Sequence, residues 1–281
     1  MKLALLYVPY DSGYFGRRLG CGPLVLREAG MARHLVSAGH SVAETVVTVA
    51  EPFPREIETA FSVAGALSAA VKAARADGAF PIVLAGNCIS CLGTTTGMGG
   101  ERRGVVWFDA HGDFNTPESS NSGFLDGMGL ATLTGRCWQG MVRTIGGFAP
   151  IAEDAVVLAG ARDFDPGERE AVMGSAMTYL APDDLEIRLA PALDDLAGKV
   201  DSAYLHLDLD VHDAAGLKVN EYAARGGPSV EAVVTAVVAV ADRLPLHAAA
   251  LTAYDPAVDP ERKVVAAVTG IVTRLAERLS C

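Results

Sequence analysis

The chain has 281 residues, of which 50% are hydrophobic and 20% charged, far too apolar for a disordered protein and ample for one sizeable packed domain. Lysine and arginine number 23 against 34 aspartates and glutamates, a formal charge of −11, so attraction to nucleic-acid phosphates or anionic membranes is unfavourable and neither is an expected partner. The longest apolar run, AVVTAVVAVA at 232–241, is too short to span a bilayer and reads as a buried amphipathic helix. The opening MKLALLYVPYD reads as a first strand rather than a secretory leader, and the expected location is cytoplasmic. Five cysteines, Cys21, Cys88, Cys91, Cys137 and Cys281, suit reduced thiols better than a disulfide framework.

In chain order, LALLYV is a strand followed by a predicted helix over 24–37, and SVAETVV is a strand followed by a helix over 55–76. PIVLAG, VVWFD, AVVLAG, AYLHLDLD and HAAALTA continue the strands, with helices over 229–242 and 261–279. Such alternation predicts an α/β protein whose parallel sheet is covered by helices on both faces. Residues 116–123 and 214–228 read as long loops, and both follow aspartate-rich strand ends. Open parallel sheets bind ligands beyond the carboxyl ends of their strands, so the chemistry is expected there.

Two motifs occupy those ends. Asp109, His111 and Asp113 alternate in DAHGD, and Asp208 and Asp210 alternate in DLDVHD. In extended backbone, residues two apart point to one side, so each set is expected to share a face. Four carboxylates brought together raise one another's pKa unless a cation neutralises them, which points to one or two divalent ions. Oxygen-rich ligation with one imidazole suits manganese better than a structural zinc site. A polar turn and a capping strand end are the competing explanation, and the pairing of the two motifs disfavours it.

These motifs resemble the arginase and agmatinase family of ureohydrolases. AGNC at 85–88 stands where the family has GGDH, followed in order by DAHGD and DLDVHD, and the likeness extends into DAHGDFNTPESSNSGFLDG and GARDFDPGE. The resemblance implies a three-layer arginase-like fold over 1–281 with a central, mostly parallel eight-stranded sheet. It also implies two Mn²⁺ ions held by Cys88, Asp109, His111, Asp113, Asp208 and Asp210, with Asp109 and Asp208 bridging and a shared water as nucleophile. Asn115, Ser120 and Ser122 match positions that receive a substrate α-carboxylate, and Asp165 and Glu168 those around an α-amino group, so a small amino acid is the expected substrate. A homo-oligomer is compatible with the family.

Three departures shape the expected activity. Cys88 replaces the first family histidine ligand, with Asn87 in place of the preceding aspartate; a thiolate would weaken the neighbouring ion as a Lewis acid or leave one site poorly filled. Asp126 stands where arginases of this pattern carry a proton-shuttling histidine, and a carboxylate with a pKa near 4 is a poor proton donor at neutral pH. Asp255 is the nearest match to the acidic residue that grips the guanidino group, with Asp259 as rival and a turn role open to both. A hydroxyguanidine is less basic and needs less activation. The departures at Cys88 and Asp126, with the HGDFNTPE run, resemble the branch of the family that hydrolyses Nω-hydroxy-L-arginine to hydroxyurea and ornithine in D-cycloserine biosynthesis. Alternatives are arginine, a guanidino acid or a formimino amino acid as substrate, or a metal-binding sensor without catalysis. Cys91 is expected to pack inside a helix despite the CxxC it forms with Cys88. His206 is expected to be a hydrogen-bonded core residue or a partner of Asp208, Trp107 to pack the sheet, His34 and His40 to be solvated or capping, His247 to lie in a strand, and His212, two residues after Asp210, to approach the site without a ligand role.

Overall fold

The computed structural model describes residues 1–50 and 55–280; Cys281 lies outside the described residues. Its strands are β1 (Lys2–Val8), β2 (Tyr10–Asp11), β3 (Tyr14–Phe15), β4 (Ser41–Val46), β5 (Phe80–Ala85), β6 (Arg103–Phe108), β7 (Val156–Ala159), β8 (Thr178–Leu180), β9 (Ser202–Asp208) and β10 (Leu246–Thr252). Eight of them form one sheet in the order β4-β1-β5-β10-β9-β6-β7-β8, and β2 and β3 form a separate hairpin. Every pairing in the large sheet is parallel, which sharpens the expected mostly parallel sheet.

Burial explains the strand sequences. All residues of β5 and β9 are buried, as continuous apolar runs require when helices cover both faces. Edge strand β4 is mostly exposed and carries Glu44 and Thr45, which discourages pairing with another sheet. The helix Glu56–Ala76 packs on the helix Cys91–Met98, while Val230–Arg243 packs against both Leu185–Lys199 and Lys263–Leu279. At 21 residues, Glu56–Ala76 is long and apolar enough to cross a bilayer by length and composition alone. Here Phe61, Val63, Leu67 and Val71 bury its apolar stripe in the core. This helix, and not 232–241, is the longest apolar one among the described residues.

Some expectations change. The single helix over 24–37 is two, Gly22–Glu28 and Met31–Ser37, because Gly30 adopts φ +90 between them. The structure adds β8, the β2–β3 hairpin and the helix Leu185–Lys199, whose interior Pro191 masks its helical period in the sequence.

The four central strands β5, β10, β9 and β6 end level with one another, Leu84 opposite Leu251, Thr252 opposite Asp208, and Phe108 opposite Leu207. The segments carrying Cys88, Asp109 and Asp208 therefore leave the sheet side by side. Gly86 makes the exit from β5 possible: a Cβ there would lie 2.1 Å from the Tyr10 carbonyl oxygen and 2.9 Å from Gly20 backbone. Gly86→Ala is expected to destabilise the protein by about 1–3 kcal/mol, measured as a lower urea midpoint with an unchanged m-value.

Candidate metal centre

Beyond β6 and β9 the chain makes the same local turn twice. The Asp109 Oδ1 accepts the His111 backbone N–H at 2.7 Å, and the Asp208 Oδ1 accepts that of Asp210 at 2.8 Å. Each is an Asx turn, in which a short side chain folds the backbone two residues on toward itself. This corrects the expectation of strand alternation: β6 stops at Phe108, Asp210 sits in the 3-10 turn Leu209–Val211, and Asp113 has φ +48. The groups converge because side-chain hydrogen bonds bend the chain, not because a strand is pleated.

The resulting cluster is compact and buried. His111 Nδ1 lies 3.3 Å from Asp109 Oδ1 and 3.4 Å from Asp210 Oδ2, and ligating atoms of these three residues fall within 4.8 Å of one another. The Cys88 thiol, in the turn after β5, donates to Asp208 Oδ2 at 2.8 Å and lies 3.2 Å from Thr252 Oγ1. Asp113 Oδ2 is buried with no hydrogen-bond partner. Among the described residues, no lysine or arginine forms an ion pair with Asp109, Asp113, Asp126, Asp208 or Asp210.

Protonation reflects that imbalance. Burial, and then the surrounding carboxylates, pushes Asp113 and Asp208 well above the ordinary carboxylate range, and Asp109 rises for the same reasons. Burial also lifts Asp126 to about 7, against hydrogen bonds that favour its charged form, so the ordinary value near 4 expected from sequence does not hold. Burial, followed by Asp208, keeps the Cys88 thiol protonated far above the usual thiol range. Desolvation alone would depress His111 and raise Asp210, but their mutual attraction holds the imidazole well above 6.5 and the carboxylate below its usual range. A buried set of oxygens, one imidazole and one thiol, with an orphaned acceptor and too little positive charge, has the donor chemistry of a divalent-cation site.

Supporting contacts come from residues outside the DAHGD and DLDVHD motifs. Trp107 Nε1 donates to Asp109 Oδ2 at 3.0 Å, so this residue does more than pack the sheet. Asn220 Nδ2 donates to Asp210 Oδ2 at 3.3 Å and to the Ala253 carbonyl at 2.9 Å. Arg162 donates to the carbonyls of Gly160, Asp210, His212, Ala224 and Arg225, fastening the long loop over 214–228 to the site. His206 is fully buried, stacked 3.6 Å from Trp107 and bonded to Tyr204 Oη at 2.7 Å; burial lowers it to about 3. It reaches Asp208 only through Thr252, although a ring nitrogen also falls within 4.8 Å of ligating atoms on Cys88 and Asp109. His212 is turned to the Leu209 carbonyl, and Cys91 is wholly buried at the start of its helix. No alternation, spacing or composition in the sequence announces Asn220, and Arg162, although it stands inside GARDFDPGE, gives no local sign of its role.

A cleft of about 530 Å³ opens onto the cluster and is lined by His111, Asp113, Asn115, Ser122, Asp126, Asp165, Glu168, Asp208 and Asp210, with Phe124 and Tyr222 at its wall. Asn115 Nδ2 donates to Asp165 Oδ2 at 3.0 Å. Glu168 uses Oε1 for the Phe114 N–H and Oε2 for the Asp165 N–H, so in this structure it braces the loop beneath the cleft. Ser120 is not among the lining residues; its hydroxyl accepts from Gly123 in an exposed turn. Asp255 is also absent from the lining and caps a turn through the Ala257 N–H, while Asp259 accepts from Tyr254 Oη and from Lys263 and Val264 at the N-terminus of the last helix.

Comparison with known proteins places this geometry in a class. The model of the arginase family matches residues 1–276. The arginase of Brevibacillus brevis is 31% identical over 235 residues, covering 77% of this chain and 78% of that one. The arginase of Bacillus caldovelox is 30% identical over 226 residues, covering 74% and 75%. Among solved structures, arginase from Bacillus cereus superposes with a TM-score of 0.89 at 25% identity, covering 98% of each chain. The chain belongs to the arginase family of ureohydrolases, hydrolases of carbon–nitrogen bonds in linear amidines.

The raised groups set a pH dependence. Above about pH 6.5 Asp113, Asp208, Asp126 and His111 hold more protons folded than unfolded, while the opposite contributions of His206, His212 and His247, all lowered on folding, fade as the unfolded imidazoles lose their remaining protons. Metal-free protein is therefore expected to lose thermal stability as pH rises from about 6.5 to about 8. Binding of Mn²⁺ is expected to release protons and tighten over the same range, as read by calorimetry in buffers of different ionisation enthalpy.

Proposed function

We propose that this ureohydrolase cleaves the hydroxyguanidino carbon–nitrogen bond of Nω-hydroxy-L-arginine, giving ornithine and hydroxyurea. The observation that carries the reading is the Cys88 thiol set 2.8 Å from Asp208 inside the acidic cluster. Cys88, Asp109, His111, Asp113, Asp208 and Asp210 would hold two Mn²⁺ ions, each group giving up any proton it carries. When bound, the ions supply Lewis acidity that makes a water molecule nucleophilic near neutral pH.

A thiolate brings one more negative charge than an imidazole to that centre and so weakens its Lewis acidity. A hydroxyguanidine tolerates the loss, because its electron-withdrawing oxygen leaves the reacting carbon less stabilised by basic nitrogens and makes the group easier to hold neutral. The protein's part is binding and orientation. Asn115 and Ser122 offer hydrogen-bond donors to an α-carboxylate at the cleft, with Ser120 in the adjoining turn. Asp165 offers its carboxylate to the α-ammonium group, and Glu168 keeps the Asp165 backbone in place. Trp107 and Asn220 restrain Asp109 and Asp210, so these carboxylates need little reorganisation when a cation enters.

The test is a manganese-supplemented assay of hydroxyarginine beside arginine. Ornithine with hydroxyurea from the first substrate and no urea from the second is expected; turnover of arginine alone would move the protein to the arginase activity, and tight ligand binding without turnover would make it a sensor. Cys88→Ser is expected to lower bound manganese measured by elemental analysis. It should cost activity by at least the roughly 10–100-fold that accompanies loss of a ligand's supporting partner.

A further inference from the structure

The exchanged residues Asn87 and Asp126 are 39 positions apart in sequence, yet they are direct partners. Asn87 Nδ2 donates to Asp126 Oδ2 at 2.7 Å. The other carboxylate oxygen, Oδ1, accepts the backbone N–H groups of Cys88 and Ile89. The other end of the Asn87 amide, Oδ1, accepts the N–H of Ser12 in the β2–β3 turn, where φ is +50. Both side chains are buried, at 3% and 7% exposure.

We propose that Asn87 and Asp126 are a reciprocal pair that positions the turn carrying Cys88, and that the two departures from the family pattern are one coupled departure. The proposal rests on the reading that Cys88 belongs to the metal centre. The argument is one of donors and acceptors. An aspartate at 87 would set a carboxylate oxygen against Asp126 Oδ2, two buried acceptors with no hydrogen between them unless one takes a proton. Because Asp126 also holds the Cys88 and Ile89 amides, any retreat by it displaces the thiol. An asparagine at 126 would keep those two amides on its oxygen but turn its NH₂ toward the Asn87 NH₂, donor against donor. Exchanging both residues restores every bond: Asn at 126 donates to Asp at 87, which still accepts from Ser12. Net charge is unchanged. In this arrangement the Asp126 carboxylate accepts from three donors, which makes it a positioning residue.

The experiment compares wild type, Asn87→Asp, Asp126→Asn and the double exchange. Thermal unfolding is measured without metal; Cd²⁺ titration follows the ultraviolet sulfur-to-cadmium charge-transfer band; kcat, KM and the pH–rate profile are measured with Mn²⁺ and hydroxyarginine. Each single variant is expected to unfold at lower temperature and to bind Cd²⁺ about tenfold or more weakly. The double exchange is expected to return to within about threefold of wild type in Cd²⁺ affinity and kcat, with the wild-type pH profile. Penalties that simply add would refute the pairing. Restored stability and Cd²⁺ band with kcat still lost and one limb of the pH profile missing would show that Asp126 carries a proton, and would overturn the positioning role. A wild type with no charge-transfer band would remove Cys88 from the metal centre, while the metal-free unfolding cycle would still decide the pairing.

Discussion

Repulsion among buried carboxylates is the constraint on which the rest of the molecule depends. Asp109, Asp113, Asp208 and Asp210 are each at most 5% exposed, and His111 is the only basic side chain ion-paired within the group among the described residues. An isolated chain would keep such groups apart in water, because desolvation and like charge both oppose their assembly. The fold overrides this with a wholly parallel sheet whose central strands are buried on both faces and end at one level. The apolar core is thus the source of free energy, and the acidic cluster is where part of it is spent.

Local hydrogen bonds convert that arrangement into a site. The two Asx turns aim His111 and Asp210 back at the aspartates that precede them, and Trp107, Thr252 and Asn220 each hold one carboxylate from behind. Arg162 hydrogen-bonds backbone carbonyls and no carboxylate, fixing the overlying loop, while its charge acts on Asp210 and Asp109 only through space. That shortage of positive charge is what gives the cluster the donor chemistry of a divalent-cation site. At one corner the Cys88 thiol donates to Asp208, and Asn87 donates to Asp126, so the hydrogen bonds there stay complementary.

Much of the fold was legible because parallel strands buried on both faces leave uninterrupted apolar runs, as in PIVLA and AYLHL, and because the helices Glu56–Ala76, Val230–Arg243 and Lys263–Leu279 are long. The parts that escaped have local reasons. Thr178–Leu180 is a three-residue edge strand with no room for a period, Pro191 conceals the helix around it, and Gly30 divides a helix whose apolar spacing alone suggests continuity. At the site, DAHGD and DLDVHD were readable as convergent groups, yet for a different reason from the one that operates, since turns and not pleating bring them together. Ser120, Asp255 and Asp259 sit in turns and caps where their hydrogen bonds are satisfied by nearby backbone, a role that residue type and neighbours allow but do not select.

What the sequence by itself determined is the class of the molecule: strand and helix periodicities recur within a few residues, and two dense acidic motifs at strand ends bring ligand-type groups together through bonds only two residues long. What only the tertiary structure decided is the company each group keeps. The Cys88 thiol meets Asp208 across 120 positions, Asn87 meets Asp126 across 39, and Asn220 restrains Asp210 from within a long loop. Such contacts depend on strand order and on how far each loop folds back over the sheet, and neither quantity is written in the local pattern of residues. The shifted protonation of the buried acids follows from the same source, because a carboxylate's pKa responds to all charges and all lost water around it, whichever part of the chain supplies them.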